Sequence, residues 1–418
     1  MPGILARLFS HLERPESRRP SWREALSDFS PRFAANGFIG WVFAATAPVA
    51  IILAVGTRGG LSEAELASWI FGVFFVNGLI TMLFCWWYRQ PLAFFWTIPG
   101  TVLVGPALTH LSFPQVIGAF YVTGALMLVL GATGWVKRAM QAVPMPIVMG
   151  MVAGVFLRFG LDLVRALHQD IGIAGPMVAA WMLLSVVPTL GRRMPPLIGA
   201  LLVGAVATAL LGRFDASSLG TLALVQPVVQ APAWSWAAMF ELVVPLAITV
   251  LVVQNGQGIA ELKAAGHEPP VDAITVACGV GAIASAVVGS VSTCLTGPTN
   301  AILTSSGERS RQYTAGIFTG ALAVVFGLLA PAFTRLMLHA PSSFIMTLAG
   351  LAMLRVLQAA FIASFKDRHT LGSLIALLVT VADLGLWGIG AAFWGLLAGY
   401  AASRLLERHD FIDRANAA

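Results

Sequence analysis

The sequence predicts an all-α polytopic membrane protein with fourteen transmembrane segments in two inverted repeats of seven. Three observations favour this fold class. Of the 418 residues, 58% are hydrophobic and only 11% are charged, whereas about a quarter of the residues of a soluble globular protein are charged. Apolar runs of about 20 residues, the length that crosses a bilayer, recur nearly from end to end. The two halves of the chain also match each other at one nearly constant offset.

Residues 1–32 are predicted to form a cytoplasmic N-terminal segment. They mix arginines with acidic residues and contain no long apolar run that ends in small residues, which argues against a cleaved signal peptide. The first span follows, with the apolar run Gly37–Val55. The three cysteines, Cys85, Cys278 and Cys294, have no metal-ligand spacing, so they predict neither a zinc site nor a disulfide framework.

Basic residues lie in short clusters between the predicted spans. With the N-terminus in the cytoplasm, all of these clusters fall on the cytoplasmic side, as the positive-inside rule expects, and the C-terminus lies there too. This distribution accounts for the net charge of +6 without a nucleic-acid partner. The clusters are Lys137–Arg138, Arg192–Arg193, Arg309 with Arg311, Lys366 with Arg368, and Arg404 with Arg408.

An internal duplication explains the organisation of the chain. The stretch "TGALMLVLG" at 123–131 matches "TGALAVVFG" at 319–327, an offset of 196. We therefore predict a first repeat at 33–212 (spans 1–7), a linker at 213–236 and a second repeat at 237–408 (spans 8–14). At an offset of 197, further pairs coincide: Pro48 with Pro245, Gly100 with Gly297, Pro144 with Pro341, Met149 with Met346, and Arg158 with Arg355.

An odd number of spans in each repeat turns the second repeat upside down relative to the first. Inverted repeats of this kind are the plan of many secondary transporters. The plan predicts that Arg158 lies toward the outer end of the fifth span and that Arg355 lies toward the inner end of the twelfth.

Two segments in corresponding positions of the repeats interrupt their apolar surroundings. They are "FWTIPGTVLVG" (95–105) and "STCLTGPTNAI" (292–302). Each begins with residues that favour extended backbone, reaches a Gly/Pro pair and resumes an apolar run too short to span the bilayer. Proline is tolerated in the first turn of a helix, which Thr or Asn can cap. We predict that spans 3 and 10 each contain a short strand followed by a half-helix whose N-terminus points to mid-membrane.

The N-termini of these half-helices predict an anion-binding site. Their N–H groups lack partners and carry partial positive charge, and unsatisfied groups are costly in hydrocarbon. A third polar interruption, "VVQNGQGIAEL" (252–262), adds amides late in span 8, and the aromatic residues 94–96 offer flat apolar contact to a planar ligand. The candidate substrate-binding residues are Thr46, Phe95, Trp96, Thr97, Gly100, Gln254, Asn255, Gln257, Thr293, Leu295, Thr296, Gly297, Thr299 and Asn300.

Packing explanations for the same features stay open at the level of sequence. Gly/Pro breaks also kink helices, amides also bond neighbouring helices, and an aromatic triplet also faces lipid. Glu241, at the start of span 8, and the pair Arg158 with Asp162 are interpreted as interfacial. No mid-span carboxylate or histidine indicates a proton path. The sequence contains no enzyme signature, Walker-type loop, metal site or cofactor motif.

Four stretches together resemble the BenE-type benzoate/proton symporters of bacteria, over about residues 30–408: "AATAPVAIILAVG", "FFWTIPGTVLVG", "VVQNGQGIA" and "STCLTGPTNAI". The resemblance implies the fold shared with nucleobase transporters, in which spans 1–4 and 8–11 form a core domain and spans 5–7 and 12–14 form a gate domain. It also implies import of benzoate by proton symport across the bacterial inner membrane. Dimers are common in this fold, so a homodimer is the oligomer to test.

Other transport functions stay open. The resembling nucleobase transporters place carboxylates in spans 8 and 10 to hold the N–H groups of a neutral base, whereas the corresponding stretches here offer the neutral residues Gln254–Asn255 and Gly297–Thr299. Neutral side chains favour an anionic ligand, because an acid would repel a carboxylate. Uptake of a nucleobase or other neutral heterocycle by proton symport is the second hypothesis, and a passive anion channel is the third. A sulfate-type carrier is less favoured, because only about ten residues follow the last span.

Overall fold

The computed structural model describes residues 12–15, 18–136, 138, 144–191, 194–213 and 223–415. Within these residues the chain is mainly helical, with one pair of short strands. Lys137 and Arg192–Arg193, from two of the basic clusters, lie outside the described residues. In chain order the elements are α1 (Trp22–Asp28), α2 (Pro31–Arg58, interrupted at Thr46), α3 (Glu63–Tyr88), β1 (Phe94–Trp96), α4 (Ile98–Ala107), α5 (Phe113–Thr133), α6 (Met145–Gln169), α7 (Ile171–Val186), α8 (Pro188–Gly191), α9 (Pro196–Leu210), α10 (Trp236–Ala264), α11 (Val271–Ala286), β2 (Thr293–Leu295), α12 (Gly297–Thr304), α13 (Tyr313–Leu328), α14 (Ala330–Leu338), α15 (Ser342–Phe365), α16 (Thr370–Ala382), α17 (Ala391–Leu406) and α18 (Arg408–Ala415).

Membrane-spanning helices dominate the described part of the chain. Six helices, α2, α3, α5, α6, α10 and α15, are long and apolar enough to cross a bilayer, and the pair Arg309–Leu328 with Ala330–Leu338, bent by 67°, makes a seventh candidate. Five further apolar helices, α4, α7, α9, α11 and α16, have 10–17 residues, fewer than the roughly 20 that a perpendicular span needs. The chain is therefore a polytopic membrane protein, and the count of fourteen spans stays a prediction.

The two interrupted segments fold as the sequence predicts. Strands β1 and β2 pair in antiparallel register, with Phe95 opposite Cys294 at the centre. A single residue, Thr97 or Thr296, separates each strand from the short helix that follows it, α4 or α12. A proline stands at the start of each of these helices, where its missing N–H costs no helical hydrogen bond. The predicted short strands followed by half-helices are thereby confirmed.

Two helix crossings around the strands are built in the same way. Helix α3 crosses α13 at Gly78 and Gly320, and α5 crosses α11 at Gly124 and Gly279. A Cβ at Gly78 would lie 2.7 Å from the Gly320 carbonyl oxygen, and one at Gly279 would lie 2.8 Å from the Gly124 carbonyl oxygen. Because membrane helices gain little from apolar burial against one another, such close backbone contact is what small residues provide.

The two arginines that coincide at the offset of 197 occupy similar places. Arg158 lies near the middle of α6, and Arg355 lies near the middle of α15. The expectation that each arginine lies toward a helix end is therefore wrong for both helices as they are built. The two helices pack against each other, so the middle of both spans carries a cation.

Candidate anion-binding site at the paired strands

Side-chain oxygens accept hydrogen bonds from backbone N–H groups at the outer edges of the two-stranded ribbon. Asn255 Oδ1 accepts a hydrogen bond of 2.8 Å from the Leu295 N–H, and Asn300 Oδ1 accepts one of 2.8 Å from the Ala93 N–H. Thr81 does the same for the N–H of Phe94, also at 2.8 Å. Non-helical backbone at membrane depth requires such partners. The amides of Asn255 and Asn300, which the sequence analysis places among the ligand contacts, thus hold the strands in position through their carbonyl oxygens.

The N-termini of the two half-helices differ from each other. The Thr97 hydroxyl accepts a hydrogen bond of 3.1 Å from the Gly100 N–H and so caps α4. Thr296 occupies the matching position before α12, but its side chain forms no cap, and its Oγ1 is buried without a partner among the described residues. The first N–H groups of α12 therefore lack the side-chain cap that α4 has. An anion is better accommodated at α12 than at α4.

A small cavity lies beside the uncapped end of α12. The space open to water within it is about 10 Å³, about the room for one water molecule. Three polar atoms of its lining are buried and have no partner among the described residues: Trp96 Nε1, Thr296 Oγ1 and Thr299 Oγ1. All three groups can donate a hydrogen bond. The lining residues are Phe43, Ala44, Pro48, Phe95, Trp96, Ile98, Thr296 and Thr299.

Aromatic rings form one wall of this cavity. The Phe74 ring packs against Phe95 and Trp96, with centroid separations of 5.7 and 5.1 Å, and the rings of Phe95 and Trp96 meet edge to face at 6.0 Å. These side chains are almost fully buried. Phe95 and Trp96 give the cavity flat apolar surfaces, and donor groups stand on neighbouring lining residues, a combination that suits a ligand with one aromatic and one polar end.

The remaining candidate residues lie around the site rather than in its lining. Thr293 donates a hydrogen bond of 2.7 Å to Asn77 Oδ1, and a Cβ at Gly100 would overlap the Thr97 side chain. Thr46 donates a hydrogen bond of 2.9 Å to the Val42 carbonyl oxygen, at the interruption of α2. These residues hold in position the backbone segments that carry the lining side chains.

The two glutamines of the third polar interruption differ in exposure. Gln254 is buried and forms no hydrogen bond among the described residues, whereas Gln257 is exposed and packs against Gly297 at the start of α12. Neither residue lines the small cavity. Whether they contact a ligand stays a prediction.

A contact between a buried carboxyl group and a histidine escaped the sequence analysis. The Glu241 side chain is 4% exposed, and its Oε2 atom lies 2.9 Å from His110 Nε2; its interfacial position stays a prediction. A Cβ at Gly390 would overlap the Glu241 carboxylate, so the carboxylate lies between His110, three residues after the end of α4, and Gly390, the residue before α17. The two partners are 131 positions apart, and no local pattern in the sequence connects them.

The fold and the site together define a class. A membrane protein whose two broken helices pair through antiparallel strands, beside a cavity with aromatic walls, has the fold of a membrane transporter. The family model described as "BenE: Benzoate membrane transport protein" matches residues 27–405. The chain belongs to this family.

Relatives agree with this family assignment, and solved structures share the fold. The chain is 31% identical over 378 residues to the "Inner membrane protein YdcO" of Escherichia coli K12, covering 90% of this chain and 95% of that protein. It is 25% identical over 386 residues to the "Benzoate membrane transport protein" of Acinetobacter baylyi, covering 91% and 96%. The fold is similar to the transmembrane domain of the cyanobacterial bicarbonate transporter BicA (TM-score 0.61, 16% identity, 91% of this chain and 98% of that one). It is also similar to SLC26A9 (TM-score 0.63, 12% identity, 97% and 68%).

Proposed function

We propose that the protein imports benzoate or a closely related aromatic carboxylate by proton symport across the bacterial inner membrane. The family match and the printed name of the Acinetobacter relative support this substrate class. The name of the Escherichia coli relative supports the inner membrane. Both termini are proposed to lie in the cytoplasm, as the basic clusters predict.

One observation carries the proposal: three residues that line a cavity with aromatic walls, beside an uncapped helix N-terminus, carry buried donors with no partner among the described residues. Among the described residues, no acidic side chain lines that cavity. Donors without acceptors suit the oxygens of a carboxylate, and the rings of Phe95 and Trp96 suit the ring of benzoate. A neutral nucleobase carries its own N–H donors and would need acceptors, so this lining favours the anion over the second hypothesis.

Alternating access is the mechanism that fits the volumes of the two neighbouring cavities. The cavity at α12 holds about one water molecule, which is far less than benzoate needs, while a cavity of about 600 Å³ adjoins it and shares the Phe43 side chain. We propose that a core domain (spans 1–4 and 8–11) moves against a gate domain (spans 5–7 and 12–14) and so opens the site. The duplicated glycine crossings, α3 with α13 and α5 with α11, support the inverted repeat, because two-fold symmetry makes each such contact occur twice.

Proton coupling supplies the driving force. Entry of an anion is opposed by about 2.3 kcal/mol per charge for each 100 mV of membrane potential, so accumulation needs a co-transported cation. We propose that the pair Glu241 and His110 carries the proton. The Glu241 side chain is buried, the His110 side chain is partly exposed, and the carboxylate contacts the gate side of the molecule at Gly390. Arg158 and Asp383 line the same narrow cavity as Glu241.

Uptake of radiolabelled benzoate into proteoliposomes tests the function. Uptake that saturates, follows an imposed inward proton gradient and stops on addition of a protonophore is the expected result. Uptake of uracil instead of benzoate would establish the neutral-heterocycle hypothesis in its place. Non-saturating benzoate flux that ignores the proton gradient would establish a passive channel. Empty liposomes, which benzoic acid itself crosses, provide the baseline for every condition.

A further inference from the structure

A large cavity next to the candidate site carries an arginine. We call it the vestibule: its volume is about 600 Å³, and its wall includes Phe43 and Thr46 of α2, Trp181 of α7, Ile302 of α12 and Arg355 of α15. Phe43 and α12 separate it from the small cavity at the paired strands. The vestibule therefore adjoins the proposed transport site.

Arg355 has an unusual environment for a cation. It lies near the middle of an apolar helix, its side chain is exposed, and among the described residues it forms no ion pair. Its one hydrogen-bond partner in that part of the chain is Gln358 Oε1, at 3.4 Å. Ionisable residues within a membrane span are costly unless they face water or a partner, and they mark ligand pathways more often than not.

The matching arginine of the first repeat has the opposite environment. Arg158 lies 2.5 Å from Asp383 Oδ2, in an ion pair, and the cavity beside it measures only about 20 Å³. One arginine of the pair is thus neutralised beside a closed cavity, while the other faces an open one. Among the described residues that line the open cavity, Arg355 is the single ionisable one, so these residues give the cavity a positive charge.

From this arrangement we infer that the vestibule is itself a binding site for an aromatic carboxylate, occupied before the ligand reaches the paired strands. The inference rests on the proposed function. The Arg355 guanidinium binds the carboxylate, for which its planar fork is well matched. The rings of Phe43 and Trp181 contact the aromatic ring. The single cation and the apolar remainder of the wall complement the two ends of such a ligand.

Protection of a cysteine placed in the vestibule tests the inference. Ser185, an exposed residue of the vestibule wall, is replaced by Cys; the three native cysteines are buried. The purified full-length protein is labelled with a maleimide at increasing benzoate concentrations. We expect benzoate to slow the labelling. Adding Arg355→Gln should raise the half-protective concentration by about tenfold, which corresponds to about 1.4 kcal/mol, whereas adding Arg165→Gln, a matched change at an exposed arginine, should not.

The outcomes separate this inference from the proposed function. If wild-type protein takes up benzoate but Arg355→Gln changes neither the half-protective concentration nor the KM of uptake, the vestibule site is refuted and the function stands. If wild-type protein takes up no benzoate and benzoate gives no protection, both fail. Should Arg355→Gln not purify as a single species, Arg355→Lys decides. Loss of the guanidinium fork should then raise the half-protective concentration, and an unchanged value would overturn the inference.

Discussion

Replacing Thr299 by Val should make the ligand-free protein more stable and bind benzoate more weakly. The Thr299 hydroxyl is fully buried and has no hydrogen-bond partner among the described residues. Leaving such a group unsatisfied costs about 1–3 kcal/mol, and Val fills nearly the same volume without the polar atom. A hydrogen bond to a charged ligand contributes about 1.5–3 kcal/mol, so the same change should weaken benzoate binding by about ten- to a hundredfold.

Thermal unfolding in detergent, with and without benzoate, measures both effects in one experiment. At a benzoate concentration of 100 times the wild-type Kd, ligand binding adds about 2.7 kcal/mol to the stability of the wild type. A tenfold loss of affinity reduces that gain to about 1.4 kcal/mol, and a hundredfold loss reduces it to about 0.4 kcal/mol. The expected pattern is a higher midpoint without benzoate and a smaller benzoate-induced shift.

Thr101→Val is the matched control. Thr101 is equally buried, but its hydroxyl donates a hydrogen bond of 2.9 Å to the Thr97 carbonyl oxygen. Its replacement should lower stability by about 1 kcal/mol and leave the benzoate-induced shift unchanged. A Thr299→Val protein that is destabilised like the control and keeps the full benzoate shift would refute the reasoning, because the hydroxyl would then have a partner of its own and no role at the ligand.

Three further substitutions test neighbouring parts of the site. Asn255→Ala leaves the buried Leu295 N–H without its acceptor and should destabilise the protein by about 1–3 kcal/mol, measured as a lower unfolding midpoint; an unchanged midpoint would contradict the supporting role. Gln254→Glu places a carboxyl group in a buried position near an anion site, so benzoate affinity in detergent should fall at neutral pH and recover partly at acidic pH, where the new acid is protonated; equal affinity at both pH values would place Gln254 away from the anion. Glu241→Gln should abolish accumulation driven by a proton gradient while benzoate counterflow between equal pH values continues, and retained gradient-driven uptake would remove Glu241 from the proton path.

Local chemical signals made the paired strands predictable from sequence. Pro99 and Pro298 mark the first turns of α4 and α12, and the residues before them favour extended backbone. These signals act within a few residues, so they do not depend on the tertiary arrangement. The arrangement of the helices around them was open to prediction only through the repeat, and the helix lengths alone do not determine the number of spans.

The difference between the two half-helix N-termini was beyond the reach of sequence. Thr97 and Thr296 are the same residue in the same position before a helix, yet only Thr97 turns its hydroxyl onto the first turn. Thr97 also donates its own proton to Thr249 Oγ1, 3.2 Å away on α10. A side-chain rotamer set by a helix 152 positions away leaves no trace in the local pattern, and the same holds for the contact of Glu241 with His110.

The side chains around the strands are uncharged for two different physical reasons, and the sequence alone does not distinguish them. The first reason is that an acidic side chain would repel an anionic substrate. This reason applies to the cavity lined by Trp96, Thr296 and Thr299. Asn255 is different, because its oxygen accepts from a backbone N–H and its amide nitrogen lies 3.5 Å from the Cys278 sulfur. A carboxylate at that buried position could replace the acceptor but would be desolvated without a cation to balance it. Asn255 is therefore neutral because it supports a strand inside the protein, whatever ligand the protein transports.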